Sequence, residues 1–273
     1  PATIVMPTGT GKTETMLAAV AAYVRQGPVL VTVPSDVLRS QTAGKFLTGG
    51  LLRKLHVLTD DAPNPIVGIV TKRPQKLEDL DIFEHCNVVI GTMSSLAEGA
   101  AAPFAAEIAK RVDALVIDEA HHIGADNWGR FRDAFPQRVL QFTATPFRRD
   151  GKLVDGRVIY SYPLKMAQEQ GYFKPISFVP VHEANGTRSD EVIAERAVQQ
   201  LRADRAAGLN HLMMARCQTV DRARDVFAIY QRLAADLNPM LVYSELSDTD
   251  ARIADLRAGR NRIAVCVNML GEG

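Results

Sequence analysis

Apolar residues along the chain fall into short unbroken runs separated by polar or turn-forming stretches. Runs at residues 3–6, 29–33, 66–70, 87–92, 114–118 and 139–145 are followed by others at 176–181, 211–216, 240–244 and 263–267. They are rich in valine and isoleucine and do not alternate with polar positions. Such runs predict strands buried on both faces, as in a parallel sheet. Helical patterns lie between many of them. Residues 12–26 carry Met16, Val20 and Val24 near helical spacing, and residues 219–237 line up Val220, Ala223, Val226, Phe227, Tyr230, Leu233 and Leu237 on one stripe. Ser247, Asp248, Thr249 and Asp250 read as a capping box ahead of a helix through Leu256, which Gly259 stops. Strands alternating with helices predict βαβ units, right-handed crossovers and an open α/β sheet. Turn chemistry from Gly171 to Pro175 sets a boundary near Lys174, giving units 1–174 and 175–273. The alanine-rich stretch 97–109 reads as helix-prone or loop, not as a linker.

Composition narrows the class. The chain has 273 residues, a length for about two domains. Lys and Arg total 32 against 31 Asp and Glu, a net charge of +1, so no basic excess announces nucleic acid and no acidic excess announces disorder. With 47% hydrophobic and 23% charged residues, the chain can bury a real core. No apolar run reaches the roughly 18–20 residues that span a bilayer, so no membrane partner is expected. Cys86, Cys217 and Cys266 are odd in number and form no CxxC pair, which argues against a disulfide scaffold or zinc and for thiols in a reducing, cytoplasmic setting. The chain opens on Pro1 beside its first strand and closes just after its last, and so reads as a piece of a longer protein.

Chemistry concentrates in three segments. Pro7-Thr8-Gly9-Thr10-Gly11-Lys12-Thr13 follows a predicted strand and opens a predicted helix. Glycines let successive N–H groups turn inward, and a helix N-terminus adds partial positive charge, so this loop suits a polyphosphate. Lys12 would reach the β- and γ-phosphates, and the Thr13 hydroxyl would ligate Mg²⁺. Met6 stands where the usual pattern begins with glycine. The second segment is Ala114 to His121, an apolar strand ending in Asp118 and Glu119. Parallel strands deliver such residues to the ligand crevice. Asp118 suits Mg²⁺ and Glu119 a water-activating base, worth roughly 10²–10⁴ in rate. In the third, Phe142-Thr143-Ala144-Thr145-Pro146, two hydroxyls at a strand end could relay the state of the γ-phosphate.

In this order the three segments resemble motifs I, II and III of superfamily-2 helicases and translocases, with Asp118-Glu119-Ala120-His121 as a DEAH box. Val31-Thr32-Val33-Pro34-Ser35, running on to Gln41, is similar to motif Ia. Ile90 to Leu96, with Thr92 and Ser94, resembles the next strand-contacting segment. Met213 to Arg216 resembles motif IV, and Val265 to Gly273, with Asn268, the start of motif V. The resemblance implies a P-loop NTPase of two RecA-like parallel-sheet lobes, the second incomplete. It implies ATP and Mg²⁺ as cofactors, with Thr8, Gly9, Thr10, Gly11, Lys12 and Thr13 holding nucleotide and Thr13 and Asp118 the metal. Glu119, Lys12 and His121 would act at the ATP site, His121 by coupling it to the other lobe, and Thr143 and Thr145 would couple it to movement. Pro34, Ser35, Thr92, Ser94, Arg216 and Asn268 would meet nucleic acid. The extended segment Thr143 to Gly151 is similar to DNA repair helicases and restriction-enzyme translocating subunits, which favours DNA over RNA and nuclease or other subunits as partners. The family's adenine-reading segment would precede Pro1 and its motif VI would follow Gly273. A fragment without that arginine finger, worth roughly 10³–10⁵ in related NTPases, is expected to turn over slowly.

Other features have plainer readings. Arg148, Arg149 and Lys152 fit phosphate contact or a surface cluster equally. Adjacent His121 and His122 are expected to point apart, which disfavours a metal pair. Trp128 and Phe131 read as helix packing, with base stacking as the alternative. Arg257, Arg260 and Arg262 read as a basic rim or a solvated face. Three competing functions stay open: an RNA helicase, a non-motor P-loop protein, and a catalytically dead interaction module.

Overall fold

The structure, a computed structural model, describes residues 1–273 other than 24–26, 99–102, 123–125, 136–137, 149–150, 175–176, 244 and 268–273. The chain divides into two compact units, Pro1–Pro175 and Ile176–Gly273. The first is built on strands β1 (Ala2–Val5), β2 (Val29–Val33), β3 (Val67–Ile69), β4 (Val88–Thr92), β5 (Ala114–Ile117), β6 (Val139–Thr143) and β7 (Arg157–Ser161). They form one parallel sheet in the order β3-β4-β2-β5-β6-β1-β7. Among them run helices α1 (Lys12–Tyr23), α2 (Asp36–Thr48), α3 (Ile82–His85), α4 (Met93–Ala97), α5 (Ala105–Arg111), α6 (Asp126–Asp133) and α7 (Leu164–Glu169).

The unbroken apolar runs are explained by cover on both sheet faces. In β2, Val29, Val31 and Val33 join Met16, Val20 and Phe46 in one core, while Leu30 joins Phe83, Ile108 and Phe131 in the other. Each such side chain is worth about 1.5–3 kcal/mol on burial. The edge strand β7 escaped the pattern because it has no such cover. All five of its residues are exposed, and its sequence RVIYS begins and ends polar.

The second unit holds β8 (Met213–Cys217), β9 (Pro239–Val242) and β10 (Ile263–Val267), parallel in the order β8-β10-β9, with α8 (Ser189–Ala206), α9 (Val220–Leu233) and α10 (Thr249–Arg257). Ala194, Val198 and Leu201 of α8 pack with Ala223 and Tyr230 of α9 and Ile263 and Val265 of β10. Three expectations fail here. The run at 176–181 forms no strand among its described residues, and Phe178 is 87% exposed. Pro180 lacks the donor a ladder needs, and Pro175 stands just ahead of the run. The helix at 219–237 ends at Leu233, since Ala234 leaves helical geometry (φ −148°) and a single 3-10 turn, Ala235–Leu237, follows. The capping residue expected at Ser247 is not where α10 begins. Its N-cap is Asp248, without a side-chain cap, and the Thr249 hydroxyl donates instead to the carbonyls of Leu246 (2.8 Å) and Tyr243 (3.0 Å). Gly259 ends α10 as expected, with φ +71° and its N–H on the Leu256 carbonyl.

Because every strand pair in the first unit is parallel, the residues that leave β1, β2, β4, β5 and β6 share one sheet edge. That edge is where open α/β sheets bind ligands. No described helix is long and apolar enough to cross a membrane.

Candidate functional site

The loop leaving β1 is built by its glycines. Gly9 (φ +84°) and Gly11 (φ +87°) adopt left-handed backbone that a side chain would strain. The N–H and hydroxyl of Thr10 both donate to the Pro7 carbonyl, at 3.3 and 2.6 Å, and those of Thr15 to the Gly11 carbonyl, at 2.9 and 3.1 Å. A Cβ on Gly11 would meet nothing within 4 Å, so the loop opens there onto free space. The first amides of α1 follow directly, with Thr13 half-buried among them. Met6, in place of the usual glycine, is a buried core residue whose N–H donates to the Thr143 carbonyl, tying the loop's entry to β6.

β6 lies between β1 and β5, so the loop and the acidic strand end flank the end of β6. The Lys12 ammonium bridges them. It donates to Glu119 Oε1 and lies 3.3 Å from Asp118 Oδ1. The three side chains are 7%, 14% and 9% exposed. Asp118 is aimed by its own backbone, since its N–H donates to the Thr32 carbonyl and its Oδ1 accepts from the Glu119 N–H (2.9 Å). Glu119 then turns sharply through φ +52°, a strained conformation for a residue with a side chain. Burial raises the Asp118 carboxyl above the ordinary carboxylate range. Lys12 opposes that shift and the Glu119 charge adds to it.

His121 and Thr143 continue the network. His121 Nδ1 lies 3.1 Å from Thr143 Oγ1, which donates to the Thr145 carbonyl at 2.6 Å and accepts from the Thr145 N–H at 3.3 Å. The hydroxyl's one proton is thus committed, so His121 donates through Nδ1–H. Glu119 Oε2, 3.4 Å from that nitrogen, is left buried without a hydrogen bond. Contrary to expectation the two histidine rings do not diverge. A 3-10 turn, Ala120–His122, stacks them with centroids 4.2 Å apart.

Among the described residues no group of three or more His, Cys, Asp or Glu could hold a metal alone. A carboxylate, a nearby hydroxyl and a phosphate-shaped loop are the donor set that suits Mg²⁺, which shares itself between protein and substrate phosphates. The orphaned Glu119 oxygen and the cation already held between the carboxylates fit that reading.

The residues matched to strand-contacting motifs are placed as follows. Pro34 and Ser35 follow β2, and Ser35 caps α2 by accepting from the Leu38 N–H. Thr92 ends β4, is 2% exposed and spends its hydroxyl on capping α4 through the Ser95 N–H, whereas Ser94 is exposed. Arg216 is exposed on β8. Asn268 and Arg149 lie outside the described residues. Phe131 is a core residue, and Trp128 donates through Nε1–H to Glu98 Oε1 at 3.0 Å. Arg260 is engaged by Asp255 and Arg262 by Asn210, so these two belong to a solvated polar face. One neighbour of the loop was not anticipated. Phe173 approaches so closely that a Cβ on Gly9 would come 3.2 Å from its ring. Nothing in the turn-rich stretch around it marks an aromatic that folds back on residue 9.

Comparison with known proteins bears on this geometry. In structure the chain is similar to S. cerevisiae Dbp5 bound to RNA and ADP BeF3, with a TM-score of 0.51 and 15% identity over 100% of this chain and 67% of that one. It is also similar to the Mycobacterium smegmatis helicase Lhr bound to ssDNA and AMP-PNP, with a TM-score of 0.57 and 21% identity over 97% of this chain and 37% of that one. Both likenesses establish the α/β helicase fold, of which this chain spans only part of Lhr's length. No curated protein matches the sequence. The family described as "Type III restriction enzyme, res subunit" matches residues 1–148, the stretch that holds the loop, the acidic pair and Thr143. With that match over more than half its length, the chain belongs to the type III restriction enzyme res subunit family and carries a superfamily-2 helicase-like domain.

Proposed function

We propose that the chain is the ATP-hydrolysing core of a nucleic-acid helicase or translocase that works on DNA, its two units, 1–174 and 175–273, acting as the lobes. The observation that carries this reading is the Lys12 ammonium lodged between Asp118 and Glu119 at the end of β6. It stands in for the cationic charge that a triphosphate's metal would bring to the same carboxylates. When ATP binds, Thr8 to Gly11 wrap the phosphates with backbone N–H groups, and Lys12 turns from the carboxylates to the β- and γ-phosphate oxygens. Thr13 and Asp118 would hold Mg²⁺, whose charge offsets that developing on the phosphates. Released from Lys12, Glu119 orients the attacking water and takes its proton. His121, held to Thr143, passes the state of that water to Thr145 and the segment beyond. Ser35, Ser94, Arg216 and Asn268 grip the strand's phosphates, with Pro34, which has no N–H to donate, fixing the turn after β2 and Thr92 the one that presents Ser94.

The preference for DNA is supported by the segment from Thr143 to Gly151 and by the restriction-enzyme description of the family. In the full-length protein, Lys12→Ala and Glu119→Gln should each lower ATP turnover by at least ~10². Glu119→Gln should keep nucleotide affinity, and single-stranded DNA should stimulate the unaltered protein more than RNA of the same length. Undiminished turnover in Lys12→Ala would refute the reading.

A further inference from the structure

At the far end of the same sheet edge, the chain leaving β3 passes α4 and borders an open cavity of about 800 Å³. That volume lies within the roughly 300–1,000 Å³ of small-molecule sites. Its accessible floor is apolar, formed by Ile69, Val70 and Ile82, with Phe83 and Leu96 fully buried behind them. Its rim carries three exposed cations, Lys72, Arg73 and Lys76. The one carboxylate in the lining, Asp79, accepts from the N–H groups of Gln75 and Lys76, at 2.8 and 3.2 Å, so it shapes the rim's turn. Arg73 joins the rim to the exposed turn after β4. Its Nε–H donates to the Ser94 carbonyl at 3.1 Å, and its other end lies 3.7 Å from Glu98.

An apolar floor beneath a cationic rim fits a flat, weakly polar ring attached to anionic groups. Proteins that hold single strands combine these two features, a basic track for the phosphates and apolar or aromatic surfaces for the bases. We infer that this cavity receives an unstacked base of a single nucleic-acid strand, whose flanking phosphates lie on Lys72, Arg73 and Lys76. The inference rests on the proposed motor reading for the identity of the ligand. It adds a base-holding site beside Ser94, so the strand is held by a base as well as by its phosphates.

The test measures binding of the full-length protein to a fluorescent deoxythymidine strand across a salt series without nucleotide, so its result does not depend on ATP turnover. Replacing Lys72 and Lys76 together by glutamine should lower the slope of log affinity against log salt by about 1.4, at roughly 0.7 per lost phosphate contact. A second strand of the same length, made of base-free deoxyribose phosphates, should bind the unaltered protein on the order of tenfold more weakly. That difference should shrink in Ile69→Trp, which places a ring at the cavity mouth. An unchanged salt slope, equal binding of the two strands, or a base preference that persists in Ile69→Trp would overturn the inference. So would a protein that binds no strand. Strand binding with the expected signature but no stimulation of ATPase would instead sink the motor reading and leave the cavity's role standing.

Discussion

Two carboxylates side by side in a nearly closed site repel each other and lose hydration, and one ammonium offsets both effects. Lys12 does so for Asp118 and Glu119, yet the Asp118 carboxyl still lies above its ordinary range because burial outweighs that help. A carboxyl raised in the folded state binds its proton more tightly there than in the unfolded chain. Its contribution to stability is intact below the unfolded value of about 4 and is lost as pH rises through the raised folded value. At neutral pH the ionised Asp118 therefore weakens the nucleotide-free fold. Asp118→Asn should raise unfolding stability at pH 7 while ending ATP turnover, the trade expected where a site is held against the fold's preference. Thermal melts at pH 7 and pH 4 check this, because the gain should vanish at the lower pH. A variant that melts below the unaltered protein at pH 7 would show that the carboxylate supports the fold. The meeting of these three residues at one sheet edge was legible in sequence, since each follows a strand in a parallel alternation that brings such residues together. The left-handed turn at Glu119, the stacking of His121 on His122 and the return of Phe173 to Gly9 were not. Each depends on contacts between segments that no local pattern encodes.

Among the elements, β4 and α4 illustrate how tightly the edge is fitted. Gly91 lies within β4, where a Cβ would fall 2.7 Å from Leu96 Cδ1 and 3.2 Å from its Cγ. Leu96 is fully buried, so it cannot swing outward. Gly91→Ala should cost about 1–3 kcal/mol through overpacking, read as a lower urea midpoint with an unchanged slope. A neutral result would mean that α4 can slide. The six strands read from apolar runs in the first unit occur within a few residues of their expected bounds, because the inner ones are covered on both faces and so are mostly apolar, while the edge strand β3 keeps a short apolar run although Ile69 is exposed. The signal fails where that condition fails. β7 is exposed at the sheet's edge, and the run at 176–181 is apolar yet flanked and interrupted by proline. Helix α8, with 18 residues and only Ala194, Val198 and Leu201 buried, was hidden by a mostly polar surface that leaves a narrow stripe.

For the molecule as a whole, the proposed site makes nucleotide binding a stability event confined to one edge. The loop after β1, the acidic end of β5 and the segment at Thr143 leave neighbouring strands, and Lys12, Met6 and His121 join them beyond the sheet's own ladder. A magnesium-bound triphosphate would join them more strongly, because its phosphates and metal engage the loop and the carboxylates together. A ligand that binds only the folded state stabilises it by about 2.7 kcal/mol when present at a hundredfold excess over its dissociation constant. A slowly hydrolysed ATP analogue with Mg²⁺ should therefore raise the melting temperature. It should also slow amide exchange in residues 8–13, 118–121 and 143–145, leaving the β3 and β4 amides unchanged. Chelating Mg²⁺ should remove most of the shift, since the phosphates would then face Asp118 and Glu119 without a cation between them. Lys12→Ala should remove it as well, for the loop would lose the group that reaches past the bend. An equal shift without Mg²⁺ and in Lys12→Ala would mean that the triphosphate is held elsewhere, and the bridge across β6 would then be only an internal ion pair.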